Sequence, residues 1–321
     1  MVGIKEIAKQ AGVSLSTVSN VLNGKKNVGE ETKQKILQLC KEMDYQPNFI
    51  GKSLKTGKSH IIMFNFSDFD RQFYLKIIQG ISDYAYSNNY DLIICTNKSC
   101  EKFMSKSFTS GCIMLDGRCE DRLLIKKASE HYPIVVLDRI LDVPHIKSIV
   151  VDNYTAERKL MEGLIKRGYK RFAFLNGLKG EDSIERFKAF KDVIEAYRLM
   201  FKRENYYVGD YREKSGYQAA KLLMLTDDLP DVLVCANDNM AIGAMKAFRE
   251  GGVRVPEDIG VCGFDDTEMA KLMGLTTVAI PNYERGYLAA QYLIESIEGR
   301  NDYDSFKITA KVKWRTSTLD L

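Results

Sequence analysis

The sequence predicts a small all-α helix-turn-helix head joined to a large α/β body. Three observations lead there. Two short amphipathic stretches flank Gly12, positive charge is concentrated in the first 60 residues, and from His60 onward apolar runs alternate with helical stretches.

The head comes first. Ile4, Ile7, Ala8 and Ala11 recur at helical spacing and form one apolar stripe. Gly12 breaks that helix and permits a tight turn. Ser14 is suited to cap the next helix, because its hydroxyl accepts from an orphan backbone N–H. That helix is expected from about Leu15 to Leu22, with Val18, Val21 and Leu22 inward and Leu15, Ser16, Thr17, Ser19 and Asn20 outward. Asn23 and Gly24 end it. The second helix of such a motif enters the major groove, so Ser14, Leu15, Ser16, Thr17, Ser19, Asn20 and Asn23 are candidate DNA contacts. A third helix, from about Glu30 to Met43, is expected to bring Ile36, Leu37, Leu39, Cys40 and Met43 into a small core. Residues 1–60 hold ten Lys against five acidic groups, whereas the other 261 residues hold 37 basic and 38 acidic groups. The excess sits where phosphate neutralisation would use it.

A connector follows. Pro47 cannot continue a helix and restricts Gln46, and Asn48 can cap a short segment from Phe49 to Leu54. AGVSLSTVSNVLNG, Val28, DYQPN and KSL together resemble the lactose-repressor (LacI/GalR) family of bacterial transcription regulators. The resemblance implies that residues 47–59 are a hinge helix and linker, with Leu54 as a wedge in the minor groove, Lys55 beside it and Lys52 near the phosphates. Gly51 and Lys52 stand where the family usually has Ala and Arg, and the mid-helix Gly implies a less stable hinge helix in the free protein.

The body begins at His60. HIIMFNF, YDLIICT, GCIML, PIVVLD, SIVVD, RFAFL, DVLVCA and DIGVCGF are short runs rich in Val and Ile, separated by helical stretches. That pattern indicates parallel strands buried on both faces. Open sheets of this kind bind ligands at the carboxyl ends of their strands, and polar residues follow nearly every run. RGYKRFAFLNG, ERFKAF, ANDNMAIGAMKAF, GGVRVPEDIGVCGFDD and LTTVAIPNYERG resemble the same family's periplasmic-binding-protein-like body, again in order. The resemblance implies two doubly wound parallel-sheet lobes with three crossings, near Val151–Asn153, Leu275–Ile280 and Asp304–Lys307. The expected division is a head at 1–46, the hinge and linker, and a body at 60–321. Its first lobe takes 60–151 plus 280–305 and its second 152–276 plus 306–321. The segment between Cys95 and Gly111 is shorter than usual in the family, which implies a truncated helix there.

A sugar site needs planar donors and acceptors for vicinal hydroxyls and an aromatic face for the ring. Arg186 offers a donor fork, Asp265 accepts from two hydroxyls and Asn237 does both. Tyr211 or Phe73 would supply the ring face. By resemblance, Asp138, Arg186, Tyr211, Asn237 and Asp265 match effector-contacting positions, and Asp70 lies in the first loop beside Phe73. The competing reading is that these groups cap helices, and it is preferred for Asp238 and Asp266. Arg139 is either paired with Asp138 or an anion contact, and Arg71, in the first loop, is another candidate anion contact. A phosphosugar, a nucleobase and a protein co-effector remain alternatives to a neutral sugar.

Other classes fit poorly. His60, His131 and His145 lie outside the candidate pocket, and no G-x-S-x-G, H-E-x-x-H or G-x-x-x-x-G-K-[ST] occurs, so no enzyme, cofactor or metal is expected. The seven Cys form no C-x-x-C pair, and Cys95, Cys112, Cys235 and Cys262 sit in apolar runs as small hydrophobes. The expected partners are operator DNA, a small effector and a second copy of the chain. The expected setting is the cytoplasm, with no membrane, no export signal and no tetramer-forming tail.

Overall fold

The computed structural model describes residues 3–22, 27–45, 59–67, 69, 73–226, 228–300 and 303–319. The chain divides into two units, 1–58 and 59–321.

The described part of the first unit is three helices, α1 (Ile4–Ala11), α2 (Leu15–Leu22) and α3 (Glu30–Glu42). Gly12 closes α1 with φ 74° and its N–H on the Ala8 carbonyl, a left-handed conformation that costs glycine nothing. The Ser14 hydroxyl accepts from the Thr17 N–H at 3.1 Å. Ile7, Ala8, Ala11, Val18, Val21 and Ile36 form the buried core, with Leu22, Leu39, Cys40 and Met43 packed against it. Leu37 departs from the expectation: it is 47% exposed. The inward stripe of α3 is 36, 39, 40 and 43, and residue 37 lies a quarter-turn off it.

The second unit holds two sheets. In the first, β1 (Ile61–Phe66), β2 (Asp91–Thr96), β3 (Gly111–Leu115), β4 (Ile134–Val136), β5 (Ile146–Val151) and β11 (Phe306–Ile308) take the order β11-β5-β4-β3-β1-β2 and are all parallel. In the second, β6 (Phe172–Asn176), β7 (Tyr206–Val208), β8 (Val232–Cys235), β9 (Gly260–Asp265), β10 (Thr276–Ala279) and β12 (Lys311–Lys313) take the order β12-β10-β9-β8-β6-β7. Only β12 runs antiparallel there. Each sheet is sandwiched between two apolar clusters, as sheets with helices on both faces require.

The helices of this unit are α4 (Tyr74–Ser87), α5 (Cys100–Phe103), α6 (Asp121–Ser129), α7 (Asn153–Lys166), α8 (Glu181–Ala196), α9 (Glu213–Leu223), α10 (Asp238–Glu250), α11 (Glu268–Leu272) and α12 (Asn282–Ile297). The one-turn α5 occupies the segment expected to carry a truncated helix. Across the first lobe α12 packs directly on α4. A Cβ on Gly80 would stand 2.1 Å from the Tyr283 carbonyl oxygen, and one on Gly286 would stand 2.1 Å from that of Ile77. Backbone meets backbone, and only glycine allows it.

One boundary moves. The third crossing was expected near 304–307 with 306–321 in the second lobe, but Phe306–Ile308 pairs with β5 in the first. The chain changes sheets at 309–310, between β11 and β12. FKITAKVK has no Gly or Pro to mark the break, so its sequence reads as one strand.

Candidate functional site

In the head, the start of α2 presents a hydroxyl cluster. The Ser14 oxygen lies 2.7 Å from that of Ser16 and 2.8 Å from that of Thr17. Leu15 is 45% exposed, Ser16 is exposed, and Thr17, Ser19 and Asn20 are half-buried. Asn23, Lys52, Leu54 and Lys55, and with them the hinge helix, lie outside the described residues, as do Asp70 and Arg71.

In the body, the carboxyl ends of strands from both lobes bring charged groups together. The first lobe supplies Asp138, just past β4, and Arg285, in the first turn of α12. The second supplies Asp182 and Arg186 on α8 and Asp265 at the end of β9. Burial pulls the Arg285 guanidinium down to about 10, while the charges of Asp138, Asp265 and Asp182 act to hold its proton. Arg285 is 5% exposed, donates to the Leu137 carbonyl and leaves its Nε without a hydrogen-bond partner.

Asp138 is similar in kind. One oxygen accepts from Arg139 at 2.9 Å, and the other is buried without a partner. Burial pushes this carboxyl up to about 6 against the pull of Arg139. Arg139 itself is fully engaged. It donates to Asp121 at 2.7 Å, to Asp138, and to the carbonyls of Asp116 and Cys119 at 3.4 and 2.7 Å. It belongs to the framework and is a paired residue, not an anion contact.

Arg186 is aimed by three contacts. Its Nε donates to Asn153 Oδ1 at 2.9 Å, one terminal nitrogen donates to the Ala236 carbonyl, and the other lies 3.8 Å from Asp182. The guanidinium rests 3.6 Å above the centre of the Phe264 ring. Asn237 caps α10 by accepting from the Met240 N–H at 3.0 Å and donates to the Tyr211 carbonyl at 2.9 Å. The capping role weighed against it is therefore present, and one donor and one acceptor position remain on its amide. Tyr211 is 6% exposed with φ 67°, and its ring fills the space over Gly177. It forms a wall and offers little free ring face. Phe73 is half-buried against Tyr74 at 4.3 Å between ring centres. Asp265 is half-buried at φ 120°, a backbone state that L side chains rarely adopt.

Asp238 and Asp266 are framework residues. Asp238 accepts from the Thr267 N–H at 2.8 Å and the Thr277 hydroxyl at 2.5 Å, and Asp266 pairs with Arg315 at 2.6 Å. Sequence reasoning missed Arg285 and Glu157. Glu157 on α7 is fully buried beneath Arg186, with no hydrogen-bond partner for either oxygen. Burial pushes it up to about 8, with Arg186 opposing. Both residues carried a signal. Arg285 continues the buried stripe of Ala289 and Leu293, and Glu157 that of Met161 and Leu164. A groove of about 660 Å3 lies on the second lobe between the end of β6 and α8, lined by Asn176, Lys179, Phe187, Lys188, Lys191 and Tyr206, and Asp138, Asp182, Arg186, Asp265 and Arg285 do not border it. Among the described residues no group of three or more His, Cys, Asp or Glu is placed to hold a metal ion.

A three-helix head of this geometry, carried by a two-lobed α/β body with a charged interlobe cleft, defines a DNA-binding regulator with an effector domain. Residues 3–48 match the family described as bacterial regulatory proteins, lacI family, and residues 161–318 match the periplasmic binding protein-like domain. The probable transcriptional repressor ExuR of Bacillus subtilis strain 168 is 32% identical over 92% of this chain and 92% of its own. A lac repressor dimer bound to operator and the anti-inducer ONPF superimposes with a TM-score of 0.83, at 25% identity, over 99% of each chain. A sugar-binding transcriptional regulator of the LacI family from Enterococcus faecalis gives 0.74 at 28% identity, over 82% of this chain and 98% of that one. The chain belongs to the LacI family. It is a DNA-binding transcriptional repressor with an effector-binding body, and it is not an enzyme.

Proposed function

We propose that a small neutral sugar, bound between the lobes, sets the affinity of a cytoplasmic homodimer for its operator. One observation carries the reading. Asp138 and Arg285 from one lobe converge on Asp182, Arg186 and Asp265 from the other. Vicinal hydroxyls need such a mixture of planar donors and carboxylate acceptors. The unpartnered Asp138 oxygen and Arg285 Nε are positions that a polyol would satisfy. Because each lobe contributes, a ligand stabilises one relative orientation of the lobes over others. Two heads on a two-fold dimer would then be respaced on a pseudo-palindromic site. A coupling of roughly 1–3 kcal/mol is enough for a useful response. On the DNA, Leu15, Ser16 and Asn20 would meet base edges, with Ser14, Thr17, Ser19, Asn23, Lys52 and Lys55 as supporting contacts and Leu54 as the wedge.

The test uses the full chain. Thermal melts against neutral sugars, phosphosugars and purine bases identify the ligand, since binding to the folded state raises the melting temperature. Sequencing of genomic fragments captured with and without that ligand then reads the response. A shift confined to neutral sugars, together with a changed affinity for specific fragments, is expected. A shift produced only by phosphosugars or bases would overturn the choice of ligand.

A further inference from the structure

The groove beside α8 lies outside the cleft and has a chemistry of its own. Ile184, Phe187, Lys188 and Lys191 stand at helical spacing on the outward face of α8, while Ala189, Phe190 and Val193 turn into the core. Tyr206 and Val208 of β7 form the other wall, with the Phe187 and Tyr206 rings 4.6 Å apart between centres. This apolar floor is open to water, since Ile184 is 53% and Val208 64% exposed. Lysines stand at both ends, Lys179 ahead of α8 and Lys188 and Lys191 in its second and third turns. Lys188 and Lys191 lie over the rings of Tyr154 and Phe187 at 5.7 and 5.1 Å, and among the described residues no carboxylate pairs with them or with Lys179. The one carboxylate that borders the groove, Asp192, accepts from the Tyr154 hydroxyl at 2.7 Å. The Tyr206 oxygen accepts from the Asn176 amide at 3.2 Å, which leaves the hydroxyl proton for an acceptor in the groove.

We propose that this groove docks an extended acidic segment of a partner protein, with carboxylates on Lys179 and on the Lys188–Lys191 pair and an apolar side chain between them. Charge complementarity selects the occupant. Three lysines face a groove whose single carboxylate is already engaged. Lys188 and Lys191, three apart on one helix, repel each other until an anion lies between them. From Glu181 to Lys191 the helix rises about 15 Å, a distance an extended chain covers in about four to five residues. A lone phosphate or carboxylate reaches only one end of it. Between the ends, Ile184, Phe187, Tyr206 and Val208 offer apolar surface that a bare polyanion cannot use. β7 is the last strand of its sheet, so its outer edge can pair with an extended chain as well. The lysines steer and orient the segment, and the apolar floor holds it. The groove is separate from the cleft, so the proposal stands whichever effector the cleft takes.

The test uses the full chain and a fluorescein-labelled peptide with two glutamates on each side of a Leu-Phe pair, read by fluorescence anisotropy. Saturable binding is expected, with amide exchange slowed at 183–191 and 206–208. A peptide with lysines for the glutamates, and one with alanines for the Leu-Phe pair, should each bind roughly tenfold or more weakly. Lys188→Glu combined with Lys191→Glu should weaken the acidic peptide by roughly tenfold or more and strengthen the lysine peptide. Both side chains are exposed, so the melting temperature of the double variant should match that of the wild type. No saturable binding of the acidic peptide overturns the proposal. So does binding that the double variant retains, which would put the peptide on the cationic head. Equal affinity for the alanine peptide, or displacement by inorganic phosphate at matched concentration, marks a site for small anions and removes the partner segment. Protection of 183–191 that grows with protein concentration in the absence of peptide marks a second copy as the occupant and also overturns it.

Discussion

Glu157 should make the body lose stability as pH rises, and Glu157→Gln should remove that loss. The folded chain keeps this proton up to about pH 8, whereas an unfolded carboxyl releases it near 4.5. Between those values the unfolded state binds fewer protons, so stability falls with pH. The contribution is full below pH 4.5 and is lost as pH climbs through the folded value. One proton changes stability by about 1.4 kcal/mol per pH unit, which amounts to about 3 to 4 kcal/mol between pH 5 and pH 8. The side chain is wholly buried, so solvent screening does not reduce this figure much. Burial also pushes Asp138 and Asp238 up to about 6, but both are shared by the wild type and the variant and cancel in the difference. Urea unfolding followed by the fluorescence of Trp314 measures the effect. Trp314 is the only tryptophan and packs in the lobe that holds Glu157, under the Arg167 guanidinium at 3.7 Å. The wild-type advantage over Glu157→Gln should shrink by about 3 to 4 kcal/mol across that range. Parallel stability curves from pH 5 to pH 8 would refute the reasoning.

Asp265→Ala should abolish the effector response in DNA-binding titrations while leaving operator affinity without ligand intact, and a normal dose response would remove Asp265 from the site. Ser14→Ala should cost the head about 1 kcal/mol through the lost cap, read as a lower midpoint for the first unit's unfolding. Gly286→Ala forces a methyl onto the Ile77 carbonyl; the body should lose about 1–3 kcal/mol, and an unchanged melting temperature would show that the α4–α12 contact is slack. Operator affinity should fall steeply with salt, because the charge of the head acts on phosphates.

The head was the most legible part of the sequence. Gly12 and Ser14 announce a turn and a cap by their own chemistry, and α2 spans Leu15–Leu22 as the apolar spacing implied. Leu37 was assigned to the core because a run of Ile-Leu-x-Leu-Cys contains more apolar residues than one helix face can bury. In the body, runs such as GCIML and DVLVCA fall on β3 and β8, since strands buried on both faces have to be apolar throughout. Three-residue strands such as β7, β11 and β12 carry too little pattern to stand out. The cleft was half legible. Polar residues after strands mark the mouth of an open sheet, but Arg285 and Glu157 sit within helices on otherwise apolar stripes, where charge is easily taken for a solvated face. The difference between Arg139, spent on four acceptors, and Arg186, held by Asn153, the Ala236 carbonyl and the Phe264 ring, depends on contacts far apart in the chain.

The strands that pass from one sheet to the other do so abruptly. One residue separates β5 from α7, two separate β10 from α12, and two separate β11 from β12. A residue spans at most about 3.5 Å, so the halves have almost no slack with which to slide or part. Rotation about a line near the three crossings is the motion left to them. Whatever occupies the mouth is therefore converted into an angle, and lengthening any one crossing by a few glycines should blur that conversion while leaving both halves folded.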